Sequence, residues 1–372
     1  KVRETDLLNQ PAAAFFTGAN AWIAERLKEA AETGKSAVLM DANMEIRGEK
    51  LSVNVTVQSL VSLKGKRLGT MLMIEDISNE KRMKSTMARY MDPGLADKLL
   101  AGGGDLLGGQ SVEATMLFSD IRSFTTLTEE LGAHGTVALL NEYFTIMVNC
   151  ITQEGGMLDK FIGDAIMAEF GIPVAHGDDA DRAMRAAIGM ITELRALNKR
   201  RQEHGQKPVL MGVGLNTDTV VSGNIGSPKR MDYTVIGDGV NLASRLESAC
   251  KEYSAQILAS EFTYRKLKGT YRSREIDRVI VKGKTEPIGV YEILDFHSEE
   301  TFPNMPEVIN QFRGGLGYYR KGEFDRAIAQ FHEALALHPG DKLSQTYIQR
   351  CEYLKAHPPG GTWDGVWVMK SK

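Results

Sequence analysis

The stretch Gly156–Gly171, reading GMLDKFIGDAIMAEFG, constrains the fold of this chain more than any other. Two short apolar segments, Met157–Ile162 and Ala165–Phe170, flank Gly163-Asp164. Each roughly alternates and is bounded by glycine, which predicts a β-hairpin with Gly163 at the tight turn. A carboxylate, Asp164, stands at the tip, and Lys160 lies inside the apolar strand before it. A lysine in a buried strand is costly unless something pairs or uses it. The hairpin is therefore a candidate site.

Composition sets the outer limits. The 372 residues carry a net charge of −3, which gives no polyanion footprint and argues against a nucleic-acid partner. The length suits roughly two to three domains. Cys150, Cys250 and Cys351 are far apart, odd in number and form no CxxC pair. Neither a disulfide framework nor a zinc site is expected, and a reducing, cytoplasmic location fits. No apolar run approaches the ~20 residues of a membrane-spanning helix. The chain begins at Lys1 without a signal-peptide pattern and reads as a piece of a longer protein.

Residues 1–77 read as a small mixed domain. Phe15–Ala31 has helical character, and three alternating stretches follow at Ser36–Asp41, Leu51–Val61 and Arg67–Asp76. Leu51, Val53, Val55 and Val57 alternate with polar residues, the mark of a half-buried strand. The order RGEKLSVNVTVQSL, KGKRLGTMLMIEDIS resembles the C-terminal half of a PAS sensory domain. That implies either a sensor for a small ligand or a dimerisation module. In the linker, 78–109, Met83, Met87 and Tyr90 form a narrow stripe that suits a short parallel coiled coil or a surface helix. Asp92-Pro93 then starts a second short helix. MARYMDPGLADKLL resembles the transducer segment preceding bacterial class III nucleotide cyclases.

The main domain, 110–296, reads as α+β. Its strands are expected at Glu113–Ser119, the hairpin, Val209–Asn216, Thr219–Ile225, Asp232–Ile236 and Gln256–Ala259. Its helices are expected at Ser123–Glu130 into Gly135–Gln153, Asp178–His204, Gly239–Ala249 and Glu261–Leu267. Helices of this length cover one or both faces of a mixed sheet. Residues 303–356 are helical. Gly315, Tyr318, Ala327, Phe331, Ala334 and Pro339 fall where a tetratricopeptide repeat has its signature, while Gln311 and Gly314 depart from it. One repeat plus one helix cannot form a solenoid, so it should pack on the main domain or on a second chain. The remainder, 357–372, is a Trp-containing tail.

Asp120 stands where a strand gives way to a loop, a common place for a ligand carboxylate. With Asp164 it forms a pair that suits a hard cation, Mg²⁺ or Mn²⁺, whose remaining ligands are phosphate oxygens and water. Alone, Asp120 could cap the next helix and Asp164 could be a turn residue. The start of that helix, at Phe124-Thr125, would present amides to a triphosphate or be capped by Ser123 or Thr125. In YTVIGDGVNLASRLESA, Asn241 and Arg245 share a helix face, and Leu242, Leu246 and Ala249 share another. An amide and a guanidinium so placed can grip a ribose and a phosphate, or Arg245 can pair with Glu247 or Glu252. Lys282 and Lys284 flank Gly283 in a basic turn.

FSDIRSFT, LDKFIGDAIMAEFG, DYTVIGDGVNLASRLE and VKGK follow in this order, and together they resemble the class III adenylyl/guanylyl cyclase catalytic domain. The resemblance covers 110–296. It implies that Asp120, the backbone of Ile121, and Asp164 hold two metal ions, with Phe124 and Thr125 at the phosphates. It further implies that Lys160 and Thr234 read the purine, Asn241 orients the ribose, Arg245 stabilises the transition state, and Lys282 meets the terminal phosphates. Lys160 can donate to adenine N1 and Thr234 can accept from the exocyclic amine, so ATP is the expected substrate and cyclic AMP the product. The family also implies a head-to-tail homodimer with two shared sites, under a small-molecule or upstream-domain signal. A guanylate cyclase, or a nucleotide-binding scaffold without turnover, is the alternative.

Overall fold

The computed structural model describes residues 8–46, 48–79, 81–82, 109–227, 230–279, 287–358, 363 and 365. The Met83/Met87/Tyr90 stripe, the transducer segment, Lys282 and most of the tail lie outside the described residues. The chain divides into two compact units, Lys1–Ala101 and Gly102–Lys372.

In the first unit, helix α1 (Ala21–Thr33) lies on an antiparallel sheet of β1 (Ala37–Ile46), β2 (Glu49–Val61) and β3 (Arg67–Asp76), with β2 central. The alternation read in β2 is real: Val53, Val55 and Val57 are buried against Phe16, Ile23 and Ala30. The helix starts later than its apolar content suggests, at Ala21, and ends at Gly34 in the left-handed region.

The second unit is built on a mixed sheet. Its elements are β4 (Gln110–Ile121), α2 (Phe124–Gln153), β5 (Met157–Ile162), β6 (Ala165–Phe170), α3 (Asp179–Glu203), β7 (Met211–Ser227), β8 (Arg230–Ile236), α4 (Asp238–Glu252), β9 (Ile257–Ser260), α5 (Glu261–Lys266), β10 (Ser273–Val279) and β11 (Ile288–Ile293). The strand order is β10-β11-β9-β7-β4-β6-β5, with β8 also paired to β7. β7 and β9 run parallel, whereas the other pairs are antiparallel.

β7 is the spine. The two strands expected at Val209–Asn216 and Thr219–Ile225 are one, because Thr217 and Asp218 stay in register with Thr115 and Ala114 of β4. The Thr115 and Thr217 hydroxyls hydrogen-bond at 2.8 Å in the interior, so these polar residues do not break the strand. α2 and α3 cover one face around Tyr143, Met147, Phe170, Met184 and Ile191. α2 is interrupted at Gly132 (φ +65), near the break expected between Glu130 and Gly135. α4 covers the other face over Met116, Met167 and Val220. It lies directly on β7: a Cβ at Gly214 would stand 2.3 Å from the Ala243 carbonyl oxygen and 2.3 Å from the Glu247 amide nitrogen.

Three helices follow, α6 (Met305–Arg320), α7 (Phe324–Leu337) and α8 (Lys342–Ala356). Phe312, Phe331 and Tyr347 share one apolar cluster with Leu246, Tyr253, Ile276 and Val290. Two buried ion clusters add to it. Arg274 of β10 contacts Glu292 at 2.7 Å and Asp341 at 2.8 Å; Arg350 of α8 contacts Asp277 at 2.9 Å and Glu252 at 2.7 Å. These helices therefore hold both the β10–β11 pair and the C-terminal end of α4.

Candidate active site

The hairpin is present as read. Ile162 pairs with Ala165 across Gly163-Asp164, and Gly163 takes the left-handed φ of +67 that a side chain would disfavour. β4 runs two residues beyond Ser119, so Asp120 sits within the strand, opposite Gly212, and not after its end. β6 lies next to β4, with Ile166 opposite Ser119. That neighbouring puts Asp164 near Asp120, and burial, followed by the hydrogen-bonding and charge effects of Asp164, pushes Asp120 up to about 6. Ile121 is buried.

A third carboxylate, weighed in the sequence only as a partner for Arg245, joins them from α4. Glu247 packs over Gly212, and burial followed by the Asp120 charge pushes it up to about 7. Its signal was present: Glu247 lies two residues after Arg245 on an amphipathic helix. Ser123 takes φ +57 and its side chain makes no capping hydrogen bond, so the expected capping role of Ser123 is not adopted. Phe124 is half-buried against the α2–α3 core and Thr125 is exposed.

Lys160 is half-exposed rather than buried, its side chain retaining 38% of its accessibility. A bulge explains this. Leu158 pairs with Ala168, but Lys160, not Asp159, pairs with Met167. The extra residue turns Lys160 to the α4 side of the sheet, whereas Phe161 stacks on Phe144 of α2 on the other side. The displaced Asp159 is the hub of a second cluster. Its Oδ1 stands 3.2 Å from Lys160 Nζ, and its Oδ2 accepts a hydrogen bond from the Thr234 hydroxyl on β8. Lys160 and Thr234, far apart in sequence, meet at one carboxylate.

Asn241 and Arg245 are exposed on one face of α4, while Leu242, Leu246 and Ala249 are buried on the other. Neither carboxylate weighed as a partner for Arg245 is engaged that way: Glu252 pairs with Arg350, and Glu247 accepts from Ser248 at 3.4 Å. Among the described residues Arg245 makes no ion pair. Lys282 lies outside the described residues, between β10 and β11.

A mixed α+β sheet with a carboxylate pair at β4 and the β5–β6 turn, and an exposed Asn/Arg face on the crossing helix, is the class III cyclase catalytic fold. The chain belongs to the family described as the adenylate and guanylate cyclase catalytic domain, whose profile matches residues 109–294. Among similar proteins, the terminal-differentiation-specific adenylate cyclase of Dictyostelium discoideum is 37% identical over 244 residues, 64% of this chain and 11% of the relative. The adenylate cyclase of Anabaena cylindrica is 39% identical over 186 residues, 48% of this chain and 36% of the relative. The solved structure of a bacterial light-regulated adenylyl cyclase superposes with a TM-score of 0.53 at 28% identity, covering 63% of this chain and 68% of that one. The chain thus spans only about a tenth to a third of the length of these curated relatives. No helix among the described residues is long and apolar enough to cross a membrane.

Proposed function

We propose that this chain is an adenylate cyclase that converts ATP to 3′,5′-cyclic AMP and pyrophosphate at sites shared across a head-to-tail homodimer. The observation that carries the substrate choice is the meeting of Lys160 and Thr234 at Asp159. A lysine ammonium offers only donors and suits adenine N1. The threonine oxygen suits the 6-amino group as its acceptor. Guanine presents the opposite pattern at both positions.

The Asp120–Asp164 pair fits a divalent cation. It supplies hard oxygen donors, half-buried and close enough that burial and Asp164 raise the Asp120 carboxyl, with no ion pair to Asp120 among the described residues. Two Mg²⁺ or Mn²⁺ ions held by Asp120, Asp164 and the Ile121 carbonyl would neutralise phosphate charge and acidify the ribose 3′-hydroxyl. The 3′-oxygen then attacks the α-phosphorus in line and pyrophosphate departs. Asn241 orients the ribose, and Arg245, which makes no ion pair among the described residues, meets the charge that builds on the phosphoryl group. Backbone amides at Phe124-Thr125 hold phosphate oxygens, and Lys282 meets the terminal phosphates. The exposure of Asn241 and Arg245 in a single chain supports completion of the site by a second copy. The N-terminal unit, PAS-like in its strand pattern, is proposed as the regulatory input, delivered through residues 78–109. The helical region from 303 to 356, TPR-like in its signature, is proposed as a buttress of the catalytic sheet.

Product analysis with ATP and GTP under saturating Mn²⁺ tests the activity, and cyclic GMP as the main product, or no product, overturns it. Mixing Asp120→Ala with Lys160→Ala tests the shared site. Asp120→Ala alone is inactive and Lys160→Ala alone is strongly impaired, and the mixture regains activity because half the sites in mixed dimers are intact. No recovery in a mixture shown to exchange subunits overturns the shared arrangement.

A further inference from the structure

Glu169 has no role in the chemistry above, yet it is the most costly side chain in the catalytic sheet. It lies on β6, fully buried, with neither carboxyl oxygen hydrogen-bonded among the described residues. Its cross-strand neighbours are Met116 on β4 and Met157 on β5, and Met167 precedes it on the same face. A methionine would fit this surround at no desolvation cost. The bulge sets Asp159 beside the Met157–Glu169 pair, near enough for its charge to act on Glu169; Asp159 is 1% exposed, and its Oδ1, 3.2 Å from Lys160 Nζ, makes no hydrogen bond among the described residues. A proton on one Glu169 oxygen turns that orphan acceptor into a donor and gives Asp159 Oδ1 the hydrogen bond it lacks.

We propose that Asp159 and Glu169 are positioning residues that set the hydrogen-bond polarity of the base-reading pair: Glu169 donates to Asp159, and Asp159 in turn accepts the Thr234 proton and anchors Lys160. A carboxylate only accepts, so the Thr234 hydroxyl must spend its single proton on Asp159. Its lone pairs alone are then left for the base, and they match the 6-amino group of adenine and oppose the 6-carbonyl of a hypoxanthine or guanine. Burial, and then the Asp159 charge, push the Glu169 carboxyl well above the usual range, in keeping with its role as donor. This inference rests on Lys160 and Thr234 reading the base.

The test compares kcat/KM for ATP and for inosine triphosphate, which differs from ATP in the 6-substituent and the N1 proton, using the full chain with Mn²⁺. Asp159→Asn frees Thr234 to donate and is expected to lower the ATP/ITP ratio about tenfold or more. Placed on a Thr234→Val background, Asp159→Asn lowers the ratio by much less than it does alone, because the part of its effect that passes through the hydroxyl is already gone and only the anchoring of Lys160 remains to be lost. Glu169→Gln keeps an N–H donor and keeps the ratio within about threefold. Glu169→Met lowers the ratio about tenfold while raising the melting temperature, a combination that a purely structural role would not give. If Thr234→Val and Lys160→Met both leave the ratio unchanged, the base-reading assignment falls. If they lower it but Asp159→Asn does not, only the present inference falls. Should Asp159→Asn fail to fold, the Glu169 pair decides: equal ratios for Gln and Met overturn the proposal.

Discussion

Replacing Arg274 with methionine isolates the contribution of the C-terminal helices to the catalytic sheet. Arg274 donates from Nε to Glu292 at 2.7 Å and from both terminal nitrogens to Asp341 at 3.0 and 2.8 Å. The three side chains are 4%, 7% and 2% exposed, so water cannot take over these bonds. Methionine keeps an apolar stem of similar length but loses the guanidinium that stacks over the Phe312 ring at 5.0 Å and leaves two buried carboxyls without a cation. Removing one partner of such a cluster costs about 3–5 kcal/mol, a large part of the ~5–15 kcal/mol that stabilises a domain.

The cost should depend on pH with a definite sign. In the native chain Arg274 is the main influence holding the Asp341 carboxyl below its ordinary value, against the opposing effect of burial. Without Arg274 both carboxyls rise. A carboxyl raised in the folded state contributes stability that is present below its unfolded pKa and is lost as pH rises through the folded one. The penalty of Arg274→Met is therefore largest near pH 8 and shrinks toward pH 5. Urea denaturation followed at Trp363, whose Nε1 donates to the Tyr319 carbonyl at 2.8 Å, reads this unit in a Trp22→Phe, Trp367→Phe background. Adding Glu292→Gln and Asp341→Asn should recover most of the loss, since neutral groups tolerate the site. A penalty under about 1 kcal/mol at pH 8, the range of an exposed pair, refutes the reasoning, as does an equal penalty at both pH values.

Three further outcomes follow from the same geometry. Asp164→Asn relieves the charge on Asp120; because Asp120 is raised to about 6, the chelated native protein should weaken as pH rises through that value. The variant should gain about 1 kcal/mol at pH 8 after allowance for solvent screening, lose ATP turnover, and no longer be stabilised by Mn²⁺ in thermal melts. His297 is lowered to about 4 by burial and then by Arg195; its contribution, present above the unfolded value of about 6.5, is lost as pH falls toward 4, and His297→Gln should flatten that slope by about 1–2 kcal/mol. Gly214→Ala should lift α4 from β7, costing about 1–3 kcal/mol by calorimetry and lowering kcat through Arg245.

Much of both units was legible because the signals are local. The Gly163-Asp164 turn, the alternation of β2 and the buried Leu242/Leu246/Ala249 stripe each follow from residues within one or two turns of chain. The continuity of β7 was not legible, because it depends on Thr217 finding Thr115 across the sheet. Glu247 was missed for a similar reason: helix periodicity gives its face, but only the bare backbone of Gly212 and Gly214 lets that face close on Asp120.

The bulge at Asp159 shows where such reading fails and why it matters. Strict alternation in Met157–Ile162 would place Met157, Asp159 and Phe161 on one face and Lys160 on the other. In the folded chain Met157 and Lys160 face the α4 side together, opposite Glu169 and Met167, and Phe161 faces α2. The slip is stabilised by Thr234 on a strand formed much later in the chain. Local pattern therefore identifies Lys160 as chemically anomalous but cannot give its direction. The bulge also explains why a carboxylate precedes the lysine: an apolar residue at 159 would favour regular pairing, which would swing Lys160 to the α2 face and away from Thr234. In this hairpin, the side chain that sets the register and the one that would set the polarity of base reading are the same.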